Sequence, residues 1–235
     1  FRHLDQCCEP AILSIANSDD SGNFCEGPVV SSDQCDNVIE IASQIIELFH
    51  QKGDTAYGGE EVSQTEHAFQ AATAAERDGA GCELIVAALL HDVGHLVHDL
   101  PEDSAESGVD DHHQVLGEAF LKKHFSLRVT EPVRLHVAAK RYLCSSNPAY
   151  RERLSAASQT SLELQGGVMT DEEVAQYEAG EFAREATELR GWDDEAKIAG
   201  LETKGWEHFR QPLMTALQLA SDQSPGSGKI SEKRE

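Results

Sequence analysis

Histidine and aspartate residues recur along the chain in a way that could place imidazole and carboxylate groups around a metal ion. His91 and Asp92 are adjacent, at the end of a predicted helix that is otherwise apolar. A charged aspartate buried there would cost on the order of several kcal/mol unless a cation compensates it. The pair is therefore a candidate for a metal site, which further residues must support. The simpler reading is that Asp92 caps the next segment and His91 is a core residue.

Further histidines favour the metal site over a cap. His67 lies one predicted helix upstream, on an alanine-rich surface where an imidazole gains little unless it is a ligand. His95 follows His91 by four residues, hence on the same face if the helix continues. The remaining candidates each lie on a later segment: His113, His136 and Asp193. Imidazole and carboxylate together suit iron, manganese, zinc or nickel, whereas calcium and magnesium prefer more oxygen ligands.

The elements that carry these side chains are predicted to be helices. Apolar residues recur at helical spacing after Asp36, a candidate N-cap, and stop at Gly53. Ser63-Gln64-Thr65-Glu66 matches a capping box that opens a second helix, to about residue 77. Further helices are predicted over 84–90, 115–125 and 131–143, from residue 170, and over 193–198. The helix over 84–90 would continue past Gly94 if His95 shares its face. Pro132 lies near the first turn of the helix over 131–143.

Strand-like alternation is nearly absent, so the predicted fold class is all-α. We expect one helical-bundle domain over 36–220. A poorly ordered extension, 1–35, is predicted before it and a disordered tail, 221–235, after it, because both segments are polar and aperiodic. The acidic stretch 101–111 is predicted to be a loop.

Charge and composition exclude several classes of partner. The 235 residues carry a formal net charge of −23, which repels nucleic acid and anionic lipid. No apolar run approaches the roughly 20 residues that span a bilayer, and the first residues lack a secretory pattern. None of the six cysteines forms a CxxC pair. We expect a cytoplasmic protein that binds neither nucleic acid nor membrane, and the oligomeric state stays open.

The order of the candidate ligands resembles a known family. His67, the His91-Asp92 pair, His113, His136 and Asp193 follow one another as in the HD-domain superfamily of metal-dependent phosphohydrolases and oxygenases. The chain is most similar to the phosphonate-degrading branch of the HD-domain mixed-valent diiron oxygenases, which are relatives of inositol oxygenase. The resemblance covers roughly residues 36–209, and its most specific segment is EPVRLHVAAKRYLC, residues 131–144.

The resemblance implies a pair of iron ions, Fe(II) and Fe(III), with O2 as co-substrate. One iron would be held by His67, His91, Asp92 and Asp193, and Asp92 would bridge to a second iron held by His113 and His136. His112 and Asp194 are adjacent alternatives to two of these ligands. His113 is preferred because the family places its ligand four residues before a glycine, here Gly117, and Asp193 because it lies three residues after Arg190.

Two residues of a glycine-rich loop separate this branch from ordinary HD phosphohydrolases. By resemblance, Tyr57 caps the open iron site at rest and is displaced when substrate arrives. Glu60 would lie near the cationic end of an aminophosphonate, where a carboxylate suits an ammonium. The alternative is a solvent-facing turn with a packed tyrosine.

Basic and hydroxyl side chains are candidates for binding the phosphonate group. Lys140 lies one helical turn beyond a predicted ligand, and Arg190 lies three residues before another, so both could face the metals. The resemblance adds His95 as a phosphonate-binding or proton-donating histidine, and Ser158 and Ser161 as hydroxyl donors. For all five, the alternative is an ordinary surface or packing role.

The function that the resemblance implies is oxidative cleavage of a carbon–phosphorus bond. The expected substrate is a small organophosphonate, 1-hydroxy-2-aminoethylphosphonate or its N-methylated analogue, and the products are inorganic phosphate with glycine or glycine betaine. The ligand set alone would also permit an HD phosphohydrolase that acts on a phosphoester, or an HD module that is catalytically silent. Tyr57, Glu60 and the Lys140–Arg190 pair argue against hydrolysis.

Overall fold

The computed structural model describes residues 32–58, 60–97 and 111–223, and within these ranges the protein is built from helices without a β-strand. One isolated antiparallel bridge joins Ala56 and Ser63. The all-α fold class is therefore confirmed. Most of the predicted N-terminal extension, nearly all of the acidic loop and most of the C-terminal tail lie outside the described residues.

Eleven helices account for the architecture of the described ranges. In chain order they are α1 (Ser32–Lys52), α2 (Gln64–Arg77), α3 (Cys82–Leu90), α4 (Val93–Val97), α5 (His113–Leu121), α6 (Leu127–Ser146), α7 (Pro148–Glu152), α8 (Ala156–Leu164), α9 (Asp171–Glu178), α10 (Ala183–Glu195) and α11 (Trp206–Gln223).

Local capping explains where several helices begin. The Ser63 side chain accepts a hydrogen bond from the Glu66 amide (3.2 Å), and the Glu66 carboxylate accepts one from the Ser63 amide (2.7 Å). This capping box was predicted and is confirmed. Thr170 and Glu173 form a second capping box at the start of α9. In both cases the side chains satisfy amide groups that the first turn leaves without a partner.

Both predicted outer boundaries of the domain need a small correction. Helix α1 begins at Ser32, so residues 32–35 are helical rather than part of the extension. Helix α11 runs to Gln223, so residues 221–223 are helical rather than tail. Sequence periodicity is weakest at helix ends, where polar residues form the outer turns.

Two internal predictions of helix position were also wrong, and the helix that leads to His91 does not continue past Gly94, the condition under which His95 would share its face. Helix α6 begins at Leu127 because the Ser126 hydroxyl caps it, so Pro132 lies inside the helix. The segment 193–198 is not a separate helix, since Asp193 belongs to the last turns of α10. Helix α3 ends at Leu90, and a turn at His91 and Asp92 precedes α4, so His95 does not continue the helix that leads to His91.

The main core is formed by α1, α2, α3 and α11 together with residues of α6 and α10. Alanines on α2, among them Ala72 and Ala75, are fully buried and let the neighbouring helices approach closely. Helix α10 packs along α6 and against α2 and α3, so these helices bring distant parts of the sequence to one side of the core. None of the described helices is both long enough and apolar enough to cross a membrane.

Candidate metal centre

Two buried groups of three potential ligands lie next to one another inside the bundle. The first group is His67, His91 and Asp193, and the second is Asp92, His113 and His136. Within each group the ligand atoms lie within 4.8 Å of one another. Helices α2, α5, α6 and α10 and the turn after α3 supply them, so residues separated by more than a hundred positions converge.

The first group is oriented by backbone carbonyls. Nδ1 of His67 lies 2.7 Å from the Ala196 carbonyl, and Nδ1 of His91 lies 2.8 Å from the Ala88 carbonyl. A neutral imidazole carries one N–H, so donation from Nδ1 leaves a lone pair on Nε2. The two Nε2 atoms face each other at 3.1 Å, and Oδ1 of Asp193 lies 3.4 Å from that of His67.

The second group repeats this arrangement. Nδ1 of His136 lies 2.7 Å from the Val133 carbonyl, and Nδ1 of His113 lies 2.8 Å from Oδ1 of Asp111. The two Nε2 atoms again face each other at 3.1 Å. A protein usually orients a metal-binding histidine through the ring nitrogen that does not bind the metal, whose N–H donates to a carbonyl or carboxylate.

The Asp92 carboxylate lies between the two groups. Its Oδ2 is 3.3 Å from Nε2 of His91, while its Oδ1 is 3.5 Å from Nε2 of both His113 and His136. Oδ1 is buried and has no hydrogen-bond partner among the described residues. A carboxylate that presents one oxygen to each group has the geometry of a bridge between two cations.

These observations fit a pair of transition-metal ions. In the second group, the facing lone pairs of His113 and His136 at 3.1 Å and the unpartnered buried oxygen of Asp92 are unfavourable by themselves, and a cation would satisfy them. In the first group, a cation would take the place of a proton between the Nε2 atoms of His67 and His91, which lie 3.1 Å apart. Mixed nitrogen and oxygen donors suit iron, manganese, zinc or nickel. The donor set therefore fits metal without identifying the element.

The pKa values of two imidazoles fit histidines that bind a metal ion in their neutral form. Burial lowers the pKa of His136 to about 3, so this ring is neutral at physiological pH. Burial opposes the charged form of His91, yet the Asp92 and Asp193 carboxylates raise its pKa to about 9. A cation bound there would displace that proton, so metal binding should strengthen as the pH rises.

The structure separates the two pairs of adjacent candidates. His113 is buried and lies in the second group, whereas His112 is exposed and has a left-handed backbone (φ 51°). Asp193 is buried in the first group, whereas the Asp194 carboxylate accepts hydrogen bonds from Arg190 and from the Tyr150 hydroxyl. The geometry therefore favours His113 and Asp193, and their roles as ligands stay predictions.

Tyr57 covers the first group. Its ring stacks on that of His67 with centroids 3.7 Å apart, and its hydroxyl lies 3.4 Å from Oδ1 of Asp193. Burial and then the Asp193 charge raise the pKa of the phenol, so it stays protonated. The Glu60 amide donates to the Tyr57 carbonyl (2.7 Å) and holds the two residues in one turn. One buried oxygen of Glu60 has no hydrogen-bond partner in the described part of the chain.

The predicted phosphonate-binding residues lie on α6, α8 and α10. The Lys140 ammonium is buried and donates to the Ser161 hydroxyl at 2.8 Å. Burial and the nearby Arg190 lower the pKa of Lys140 to about 7. Arg190 is also buried, and it donates to Oδ2 of Asp193 at 2.6 Å. Ser158 accepts a hydrogen bond from Lys197 at 3.0 Å.

His95 adjoins the second group from α4. Its ring stacks on that of His113, with centroids 4.2 Å apart, and its Nδ1 lies 2.8 Å from Oδ2 of Asp111. Burial opposes the charge on His95, but Asp111 and Asp92 raise its pKa. Asp111 thus contacts His95 through one oxygen and His113 through the other.

Sequence reasoning missed several residues that organise the site. Asp111 is one of several acids in a stretch predicted to be a loop, and only its position two residues before His113 could have distinguished it. Tyr150 binds Asp194 and Arg190 from the short helix α7. Lys197 lies beyond the end of α10 and donates to Ser158, and no sequence pattern assigned it a role. No local pattern signals the contacts of Tyr150 and Lys197, because each joins distant segments.

Comparison with known proteins agrees with this geometry. The HD-domain family model matches residues 64–166. The chain is 43% identical over 180 residues to the hydroxymethylphosphonate dioxygenase of Gimesia maris, a match that covers 76% of this chain and 89% of that one. It is 42% identical over 182 residues to the glycine-betaine-forming [1-hydroxy-2-(trimethylamino)ethyl]phosphonate dioxygenase of Leisingera caerulea, with 77% and 91% covered.

The chain belongs to the HD-domain family of phosphonate dioxygenases. A more distant relative is an uncharacterized protein of Acanthamoeba polyphaga mimivirus, 30% identical over 196 residues. The stretch matched by the HD-domain model contains His67, His91, Asp92, His113 and His136, while Asp193 lies beyond it. The family that the ligand order predicted is thereby confirmed.

Proposed function

We propose that this protein uses O2 to cleave the carbon–phosphorus bond of a 1-hydroxyalkylphosphonate. The observation that carries the proposal is the Asp92 carboxylate, which presents one oxygen to each of two histidine groups. The named activities of the two dioxygenase relatives support the choice of reaction. The substrate that we favour is 1-hydroxy-2-aminoethylphosphonate, as the free amine or N-methylated.

The metal pair that we propose is Fe(II)/Fe(III). His67, His91, Asp92 and Asp193 would hold one iron, and His113 and His136 would hold the other, with Asp92 as the bridge. Such a pair supplies the one-electron chemistry that O2 activation needs and a Lewis acid for the substrate oxygens. The protein holds the four proposed histidine ligands in place through their Nδ1 contacts.

The phosphonate group would bind where α6 and α8 present the Lys140 ammonium and the Ser158 and Ser161 hydroxyls. Lys140, Ser158 and Ser161 offer donors to phosphonate oxygens, and Arg190 lies beside them. The nearby Asp111 raises the pKa of His95, which favours the protonated ring that can donate a hydrogen bond or a proton to the same group. Charge-assisted hydrogen bonds of this kind are the strong ones in anion sites.

Tyr57 and Glu60 would respond to the rest of the substrate. Tyr57 covers His67 and must move for a ligand to reach that side of the first group. The unpartnered oxygen of Glu60 would accept a hydrogen bond from the substrate ammonium. A trimethylated amine would receive only the electrostatic part of this attraction.

The proposed reaction balances without an external reductant. The C1–H bond and the C1–P bond of the substrate break, and these two bonds supply four electrons to O2. Both oxygen atoms enter the products, so a 1-hydroxyalkylphosphonate and O2 give a carboxylate and inorganic phosphate. 1-Hydroxy-2-aminoethylphosphonate would give glycine, and its trimethylated form would give glycine betaine.

The decisive experiment measures phosphate release with and without O2. We expect one O2 consumed for each phosphate released, and no phosphate under anaerobic conditions. Anaerobic phosphate release from a phosphoester would instead establish the phosphohydrolase alternative, because hydrolysis needs no oxidant. A folded protein that retains no metal after iron loading would establish the catalytically silent module.

Electron paramagnetic resonance tests the metal assignment separately. The iron-loaded protein should show the signal of a coupled Fe(II)/Fe(III) pair, and the signal should shift when the hydroxyphosphonate is added. Two bound irons without such a signal would contradict the mixed-valent proposal. The panel of substrates should include hydroxymethylphosphonate, which lacks an amine.

A further inference from the structure

Lys197 follows α10 and points back toward the candidate site. Its ammonium donates to the Ser158 hydroxyl at 3.0 Å and lies 5.8 Å from the centre of the Tyr57 ring. The side chain is 14% exposed, so it is largely enclosed. The Lys197 ammonium therefore lies next to Ser158, a predicted phosphonate-binding residue, and next to Tyr57, which covers the first ligand group.

A second lysine is held in the same manner. Lys140 donates to Ser161 at 2.8 Å, and Ser158 and Ser161 are three residues apart on α8, so their hydroxyls occupy neighbouring positions on one face. The two ammonium groups thus meet two successive hydroxyls. A hydroxyl orients an ammonium but supplies no opposite charge, so neither lysine is neutralised by its serine.

Arg190 differs from the two lysines because carboxylates already compensate it. Its guanidinium donates to Asp193 at 2.6 Å and also to Asp194. Lys197 contacts Asp194 only at the longer distance of 3.9 Å. The positive charge that a phosphonate dianion could recruit is therefore concentrated on Lys140 and Lys197.

We propose that Lys197 is a second phosphonate-binding cation, which together with Lys140 holds one tetrahedral dianion against Ser158 and Ser161. The two ammonium groups, one from α6 and one from the segment after α10, match the two negative charges of a phosphonate. The inference deepens the proposed function, on which the identity of the anion rests. It assigns Arg190 mainly to the positioning of Asp193.

The test measures anion binding by variants of Lys197 in the metal-loaded full chain. Isothermal titration with inorganic phosphate gives the affinity directly, and the steady-state KM and kcat give the effect on turnover. Lys197→Met should weaken phosphate binding and raise KM by about 10- to 100-fold, the usual effect of losing one charge-assisted hydrogen bond. The change in kcat should be smaller.

Two further variants separate charge from packing. Lys197→Gln keeps a donor to Ser158 but removes the charge, and should bind phosphate as weakly as Lys197→Met. Lys197→Arg keeps the charge and should recover most of the affinity. Melting temperature and metal content should stay close to those of the wild type in all three, because the hydrogen bond of Lys197 is to Ser158 and not to a proposed ligand.

The matched control is Lys204→Met. Lys204 is an exposed lysine that pairs with Glu76, away from the site, so its loss changes the net charge equally. Unchanged phosphate affinity in Lys204→Met supports a local role for Lys197. Wild-type affinity in Lys197→Met, or an equal loss in both variants, would overturn the inference.

Failure of the inference can be distinguished from failure of the proposed function. Phosphate binding needs no turnover, so a Lys197-dependent anion site in a protein that releases no phosphate with O2 would reject the function and keep the site. Normal O2-dependent turnover with unaltered KM in Lys197→Met would reject the site and keep the function.

Discussion

Gly94→Ala should disrupt the second group of proposed metal ligands without replacing any of them. Gly94 lies in α4, where the backbone of α5 approaches so closely that an alanine Cβ would lie 1.9 Å from the His113 carbonyl oxygen and 2.9 Å from its Cα. Ordinary contact begins near 3.4 Å. The α4 and α5 backbones would have to separate locally by about 1.5 Å.

That separation acts directly on the second ligand group. His113 is the first residue of α5, and its Nε2 lies 3.1 Å from that of His136. A displacement of this size would take the imidazole out of the ligand group, and misplacement by about 1 Å is enough to reduce catalysis about 100-fold. Overpacking against backbone should also destabilise the fold by about 1–3 kcal/mol.

Gly191→Ala is the matched control for this prediction. Gly191 lies inside α10, two residues before Asp193, and an added Cβ would meet no atom within 4 Å. Since alanine favours a helix over glycine by about 1 kcal/mol, this variant should melt about 2–4 °C higher with unchanged metal content.

The assay is metal analysis together with thermal melting and phosphate release. Gly94→Ala should lose about one of the two proposed metals per chain, melt at a lower temperature and lose at least 100-fold in activity. If Gly94→Ala retained both metals and full activity, the close packing of α4 on α5 would not position His113, and the reasoning would be refuted.

Three other side chains give predictions of their own. Glu60→Gln should raise KM for 1-hydroxy-2-aminoethylphosphonate about tenfold but leave KM for hydroxymethylphosphonate unchanged, because only the first substrate carries an ammonium for the carboxylate; equal effects on both would contradict the assignment. Burial lowers the pKa of Lys140 to about 7, so its charged form is lost as the pH rises through 7 and phosphonate affinity should fall above that pH. Phosphonate affinity measured against pH in Lys140→Met should lack this decrease above pH 7. A pH dependence identical to that of the wild type would reject the role of the ammonium. Tyr150→Phe removes the hydroxyl that donates to Asp194 at 2.5 Å, so urea denaturation should show a loss of about 1–3 kcal/mol in the free energy of unfolding; wild-type stability would mean that this contact contributes nothing.

The sequence predicted what depends on local pattern. The capping box at Ser63 and Glu66 joins residues three positions apart, so the start of α2 could be predicted from four residues. The all-α fold class could be predicted from apolar periodicity, which is also a local pattern. The ligand order could be predicted because the resemblance supplied it, since periodicity alone did not bring His67 and Asp193 together.

What the sequence did not predict depends on contacts between distant segments. The break between α3 and α4 puts His95 beside Asp111 rather than on the helix of His91, and no residue of that segment signals a stop. Arg190 could be predicted to face the site from its spacing, but its engagement by Asp193 and Asp194 depends on the rotamers of a packed helix.

Net charge illustrates why a global sequence property cannot decide a local one. A formal charge of −23 argues against nucleic acid, whose binding needs many exposed cations over a wide surface. It does not argue against a small dianion, because the field of exposed carboxylates fades over about 8 Å at physiological salt. Lys140 is buried and Lys197 is largely enclosed, so the anion would meet these two cations beyond the reach of the surface field, and two metal ions would add to their attraction. The acidic exterior and an anion-binding interior are therefore compatible.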